Sequence, residues 1–332
     1  MYNKPFHKED ISGLSFLVTG GAGFIGSNIV EYLLKYGAGK VRVLDNLSTG
    51  FMENLEPFMN NPCLEFMEGD ISEPDTCSTA CRGMDYVLHQ AALGSVPRSV
   101  KDPKATNLAN VTGFLNMLVA ARENNIKRFV YASSSSVYGD SPHLPKVEEQ
   151  IGNPLSPYAV SKRVNELYAD VFAKTYAMEI IGLRYFNIFG PRQSPDGPYA
   201  AAIPLFMFAV LRHQSPFING DGEQSRDFTF IENAVEANIR SLFCPIDKCN
   251  GGVFNIAVGD RTTVNELFRI IRDTAGSATE ARYREERPGD IRHSLADIQK
   301  ARTIMGYDPG VKIEQGLQIT FRWFKQKYFP SS

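Results

Sequence analysis

The chain has 332 residues, 43% of them hydrophobic, and its 35 Lys plus Arg against 37 Asp plus Glu leave a formal net charge of -2. That length buries a large core and exceeds one typical domain, so a large domain with a smaller lobe is expected. The balanced charge gives no electrostatic case for nucleic acid or an anionic membrane. No apolar stretch approaches the roughly 18 residues of a membrane span, and the polar start does not read as a signal peptide, so a soluble, cytoplasmic protein with a small-molecule partner is expected.

In chain order, apolar runs at 15–19, 40–44, 64–68, 86–89, 128–133 and 179–185 read as buried strands. Between them, 24–36, 112–124 and 158–176 carry apolar residues at helical spacing. Strands alternating with helices predict a parallel sheet covered on both faces, a doubly wound α/β fold. From Pro191 the pattern is irregular, punctuated by Pro195, Pro198 and Pro204, until an apolar helix at 203–212. A strand at 253–257, a helix at 264–275, an arginine-rich polar stretch at 281–293 and closing helices follow. Cys63, Cys77, Cys81, Cys244 and Cys249 lack paired C-x-x-C spacing and read as reduced thiols, and His7, His89, His143, His213 and His293 suggest no metal cluster.

The first predicted strand runs into Gly20-Gly21-Ala22-Gly23-Phe24-Ile25-Gly26, where a helix begins. Glycines at such a junction let backbone N–H groups and a helix N-terminus approach a pyrophosphate. The second strand ends at Asp45, placed to accept adenosine ribose hydroxyls and to repel a 2′-phosphate, so NAD is preferred over NADP. Asp70, at the end of the third strand in Glu68-Gly69-Asp70-Ile71, is expected near the adenine.

Downstream, Tyr158 and Lys162 lie one helical turn apart in Ser-Pro-Tyr-Ala-Val-Ser-Lys, after a strand that ends in the hydroxyl run Ser133 to Ser136. A tyrosine, with an ordinary pKa of about 10, acts as a base near neutral pH only when its phenolate is stabilised. Lys162 on the same helix face supplies a positive charge for that purpose. The pair reads as a proton shuttle beside a redox cofactor.

The motifs GGAGFIG, LDN, EGDI, HQAA, SSSSVYG, SPYAVSK and LRYFNIFGPR, in this order, resemble the extended short-chain dehydrogenase/reductase family and, within it, nucleotide-sugar 4-epimerases. The resemblance implies a Rossmann-type doubly wound sheet with a smaller α/β C-terminal lobe. It divides the chain into an NAD-binding domain at 1–187, with a return segment near 228–257, and a mainly UDP-sugar-binding lobe at 188–332. It places Gly20, Gly23, Phe24, Ile25, Gly26, Asp45, Asn46, Gly50, Asp70, Ile71, Gln90, Ala91, Ala92 and Tyr185 along NAD, together with Tyr158 and Lys162. Tyr158 becomes base and acid at the sugar 4-hydroxyl, Lys162 its electrostatic partner, and Ser134 the hydroxyl bridging the two oxygens, with Ser133 and Ser135 close enough in sequence to compete for that part.

Toward the substrate, the resemblance implies Ser95, Val96, Ser134, Ser135, Asn187, Ala202, Ile203, Asn219, Arg226, Arg287, Asp290 and Ser294. Arg282, Arg284 and Arg292 are expected to be solvated. Related dehydratases carry acidic residues directly after the active hydroxyl, and decarboxylating relatives keep a Glu there. Ser135 and Ser136 in those places leave 4-epimerisation without net redox change. Ser294, where a large residue would exclude an N-acetyl group, and Ser95 with Val96 point to interconversion of UDP-N-acetylglucosamine and UDP-N-acetylgalactosamine, with use of the matching uronic acids. UDP-glucuronic acid and UDP-glucose are the alternatives within enzymes, and a non-catalytic nucleotide sensor the alternative outside them. No metal is implied, and a homodimer paired through 112–124 and 158–176 is expected by analogy.

Overall fold

The computed structural model describes residues 1–195, 201–286 and 292–330. Six strands, β1 (Ser15–Thr19), β2 (Lys40–Asp45), β3 (Leu64–Glu68), β4 (Tyr86–His89), β5 (Arg128–Ser134) and β6 (Ile180–Tyr185), join Val253–Ile256 in one parallel sheet. Its order is 253–256, β6, β5, β4, β1, β2, β3, so the chain reverses direction across the sheet between β1 and β4. A crevice opens at the carboxyl ends of strands at such a switch point.

Both faces of the sheet are covered, which is why its strands read as nearly continuous apolar runs. One face carries α1 (Phe24–Lys35) and, later, Ile231–Phe243, over a core that includes Val18, Ile29, Val43 and Ile231. The other carries α2 (Pro74–Cys81) and, after the short helices α3 (Val96–Lys101) and α4 (Pro103–Asn107), α5 (Gly113–Glu123) and α6 (Pro157–Tyr176), over Leu17, Phe114, Phe129 and Ala169. The predicted helix at 112–124 is therefore the last part of a longer broken run, in which Leu108–Thr112 forms a π turn.

Beyond β6 lie α7 (Ala202–Leu211), α8 (Ile231–Phe243), α9 (Val264–Thr274), α10 (Gln299–Met305) and α11 (Ile313–Tyr328), with three two-stranded ladders. Asp227 stitches this region together. Fully buried, it accepts the amides of Val258 and Gly259 at 3.0 Å each and that of Ala296 at 3.3 Å. Those bonds favour the carboxylate, yet burial outweighs them and pushes its pKa up to about 6.

Because Asp227 titrates higher in the folded chain than in the unfolded one, folding takes up a proton between about pH 4 and pH 6. Relative to Asp227→Asn, the wild type should gain up to about 3 kcal/mol as pH falls through that window and lose it as pH rises through 6. Urea unfolding of both proteins across the window checks this; a difference that stays flat or runs the other way contradicts it.

Candidate active site

At the switch point, β1 turns directly into the glycine loop. Gly20 has φ +67°, and a Cβ there would lie 2.7 Å from the Ala91 nitrogen, so the loop and the chain leaving β4 touch backbone to backbone. A Cβ at Gly26 would lie 2.2 Å from the Gly20 carbonyl oxygen, which only glycine avoids. Gly23 caps α1 without any side-chain hydrogen bond, and the first turn, Phe24 and Ile25 included, holds no acidic residue. The leading N–H groups thus lack a side-chain acceptor and suit a diphosphate.

Asp45 is buried at the tip of β2, where its carboxylate accepts the amides of Ala22 and Leu47 at 2.9 Å each. Burial raises its pKa against those bonds, and Gly50 packs closely on its oxygens. Next to it, Asn46 donates to Asp70 at 2.7 Å; burial alone would raise the Asp70 pKa, but bonds from Ser72 and Asn46 hold it below the usual carboxylate range. Ile71 turns into the core beside Gly113. The residues present therefore fit a dinucleotide lying across β1, β2 and β3.

On the other side of the switch point, Gln90, Tyr185 and Asn238 form a closed ring of hydrogen bonds of 2.7 to 3.0 Å. The Tyr185 hydroxyl is thereby committed to two amide side chains, and burial raises its pKa. Ala91 donates its amide to Thr19 Oγ at 3.3 Å, and Ala92 follows it, half-buried. His89 is buried with Nδ1 2.8 Å from the Thr19 hydroxyl; burial, aided by the nearby Lys162 charge, pulls its pKa down to about 3, so the ring is neutral.

Tyr158 and Lys162 are positioned by a well-started helix. Ser156 accepts the Ala159 amide at 3.1 Å and Pro157 opens the first turn. The Lys162 ammonium donates to the Ala132 carbonyl on β5 at 2.7 Å. Burial pulls its pKa down to about 8, with Glu166 opposing, so the charge is less secure than sequence spacing alone implies. Burial raises the Tyr158 pKa, and the Ser134 hydroxyl opposes that rise.

The serine run is divided by its hydrogen-bond partners. Ser133 donates to Glu166 at 2.7 Å, and Glu166 takes a bidentate bond from Arg184 at 2.8 and 2.9 Å and another from Arg163 at 3.1 Å. Ser134, one residue on, receives the Ser136 amide at 3.2 Å and lies 2.9 Å from the Ser136 hydroxyl, and its hydroxyl opposes the burial-driven rise of the Tyr158 pKa. Ser135 begins the tight turn that follows β5.

A cleft of about 830 Å³ adjoins this region, and Ser95, Val96, Asn187, Ala202, Ile203, Asn219 and Arg226 line it. Ser95 holds φ +103°, unusual for a non-glycine residue, while its hydroxyl caps α3 by accepting the Arg98 amide. Ser134, Ser135 and Ser294 are not on that lining. Ser294 sits alongside, its amide donating to the Ser225 carbonyl at 3.0 Å, next to Arg226. Arg287 and Asp290 lie outside the described residues.

The cleft also shows what the sequence reading missed. Phe217, Phe228, Gln224 and Arg284 line it. Arg284 is exposed, as expected, and in addition reaches over the Phe217 ring and donates to the Asn219 side chain at 2.6 Å. The available signal was the alternation Phe217-Ile218-Asn219, which puts Phe and Asn on one face of a short strand. What was not available is its partner strand, Arg282–Arg284, whose register sets Arg284 beside Asn219.

Residues 16–257 match the model of the NAD dependent epimerase/dehydratase family. A UDP-glucose 4-epimerase of Mycolicibacterium smegmatis is 36% identical over 314 residues, covering 94% of this chain and 98% of that protein. The solved UDP-N-acetylglucosamine 4-epimerase from Methanobrevibacter ruminantium, in complex with UDP-N-acetylmuramic acid, has a TM-score of 0.89 at 43% identity, over 95% of this chain and 99% of that one. The UDP-glucuronic acid 4-epimerase from Bacillus cereus, in complex with UDP-glucuronic acid and NAD, has a TM-score of 0.87 at 31% identity, over 94% and 99%.

Ser134→Ala removes the hydroxyl that opposes the rise of the Tyr158 pKa, so that pKa should rise further in the variant. Ultraviolet difference titration of each protein against its Tyr158→Phe counterpart isolates this phenol; an unchanged or lower pKa contradicts the pairing.

Proposed function

Because this chain belongs to the NAD dependent epimerase/dehydratase family, and is an isomerase acting on a UDP-sugar with NAD as cofactor, we propose that it interconverts UDP-N-acetylglucosamine and UDP-N-acetylgalactosamine. The three relatives described above are all UDP-sugar 4-epimerases, but they differ in the sugar named. What supports the acetamido sugar is the small side chain of Ser294, whose backbone amide bonds Ser225, the neighbour of the cleft-lining Arg226. The 43% identical neighbour is likewise named for UDP-N-acetylglucosamine.

Bound NAD supplies the acceptor and returning donor of a hydride at sugar C4. The chain's own residues handle the proton. Tyr158 Oη takes it from the sugar 4-hydroxyl, with Ser134 Oγ aligning the two oxygens and the Lys162 ammonium stabilising the phenolate. A 4-keto sugar then turns in the cleft while its diphosphate stays anchored by Arg226, on the cleft wall, with Arg287 and Asp290. Tyr158 returns the proton after the opposite face of the sugar is presented. Asp45, Asp70 and the glycine loop hold the adenosine and diphosphate half of the cofactor in this scheme.

A second copy of the chain is the proposed partner. Helix α6 buries Ala159, Lys162, Glu166, Ala169 and Ala173 on one face, while Val160, Leu167 and Val171 on the other are 49%, 50% and 53% exposed. An apolar stripe of that kind on a helix is ordinarily covered. Leu167→Glu should convert a dimer to a monomer in light scattering coupled to size exclusion; a wild-type monomer contradicts the pairing.

Purified protein without added NAD, offered UDP-N-acetylglucosamine, UDP-glucose and UDP-glucuronic acid in parallel, should epimerise the acetamido sugar fastest. Ser294→Tyr should lose that activity selectively, by roughly 10-fold or more if only shape is at stake. Turnover of only the other two sugars would overturn the substrate, and equal loss on all three would overturn the part given to Ser294.

A further inference from the structure

Two of the five cysteines, far from the proton-transfer groups, meet in the fold. Cys244 ends α8 and Cys249 follows the exposed turn around Ile246–Lys248, and their sulfurs lie 3.1 Å apart in a thiol–thiol hydrogen bond. A disulfide has its sulfurs about 2.05 Å apart, so closing one requires a sulfur movement of only ~1 Å. Both residues are reduced here.

A fixed cation stands beside them. Arg128, at the start of β5, donates through Nη1 to the carbonyls of Ser241 at 2.9 Å and Cys244 at 2.8 Å, and lies 3.9 Å from the Cys244 sulfur. Its other nitrogens are held by Glu179 at 2.9 and 2.8 Å. The hydrogen bond with Cys249, together with Arg128, holds the Cys244 thiol below its ordinary pKa against burial, while Cys249 is raised as the proton donor. By contrast, burial pushes Cys77 and Cys81 up to about 12. Cys244 and Cys249 are buried, but Pro245, Asp247, Lys248 and Asn250 around them are exposed, so opening one short surface turn admits a small oxidant.

We propose that Cys244 and Cys249 form a redox-active dithiol that hydrogen peroxide closes to an intramolecular disulfide. The Cys244 thiolate attacks a peroxide oxygen; the O–O bond breaks, hydroxide leaves and takes a proton as water, and Cys244 becomes a sulfenic acid. The Cys249 sulfur then attacks the Cys244 sulfur, the S–O bond breaks, and a second water departs with the Cys249 proton. The two sulfurs lose two electrons and the peroxide gains them. The new bond pins the end of α8, which carries Asn238 and its bonds to Gln90 and Tyr185, to the turn that leads into strand Val253–Ile256.

The chain itself makes the bond easy to read. Trypsin cuts after Arg240, Lys248 and Arg261, which leaves Cys244 on peptide 241–248 and Cys249 on peptide 249–261. Full-length protein treated with hydrogen peroxide, blocked with iodoacetamide and digested without reductant should yield these two peptides joined, and dithiothreitol should part them. In Cys249→Ser, the Cys244 sulfenic acid has no partner and should be trapped by dimedone, with basal turnover unchanged. Oxidation should also raise the wild-type melting temperature by a few degrees, reversibly, and leave the variant's in place. Separate peptides with both thiols still free, or absence of the dimedone adduct in the variant, would overturn the dithiol; a joined pair without a rise in melting temperature would overturn its hold on α8.

Discussion

One buried carboxylate sets the geometry of the whole site. Glu166 lies on α6, two turns from Tyr158 and one from Lys162, and binds Arg184 on β6 through both oxygens while receiving Ser133 from β5. Arg184 and Glu166 are almost fully buried, and the Arg184 guanidinium also bonds the Glu148 carbonyl and lies over the Tyr138 ring. Removing one partner of such a pair leaves the other charge stranded, at a cost of about 3–5 kcal/mol. The helix that carries Tyr158 and Lys162 is therefore fixed against two neighbouring strands in one register, Ser133 beside Arg184.

That anchoring ties up one hydroxyl of the serine run. Ser133 is committed to Glu166, and Ser134, the next residue, is the one whose hydroxyl opposes the rise of the Tyr158 pKa. Burial drives both members of the Tyr158 and Lys162 pair toward their neutral forms, raising the phenol and lowering the ammonium to about 8. Burial thus drives their proton affinities apart and leaves Lys162 the member that titrates nearer neutral pH. Glu166 again contributes, because its charge is the one that opposes the loss of the Lys162 proton.

Local signals were legible in the sequence and long-range ones were not. The glycine loop, Asp45 and the Tyr158/Lys162 spacing each state their chemistry within a few residues, and the six strands through β6 follow from short apolar runs. The division of labour among the serines was hidden because it depends on Glu166, 33 residues from Ser133 in the chain. Helix α2 escaped notice because Pro74–Cys81 is short and weakly apolar, and Asn238 because its bonds to Gln90 and Tyr185 cross 148 and 53 residues. Arg284 is exposed as expected, but its place beside Asn219 depends on strand pairing that the sequence does not announce, and Cys244 and Cys249 read as scattered thiols because their five-residue spacing fits neither a C-x-x-C motif nor one helix face.

The central claim is that Tyr158 moves the proton at the sugar 4-hydroxyl. The most direct measurement is the epimerisation rate of Tyr158→Phe, with NAD content and UDP-sugar affinity determined on the same sample. Loss of roughly 10²- to 10⁴-fold in rate, with cofactor and sugar still bound, is the result expected of a general acid and base. A variant that binds both and turns over at the wild-type rate would contradict it.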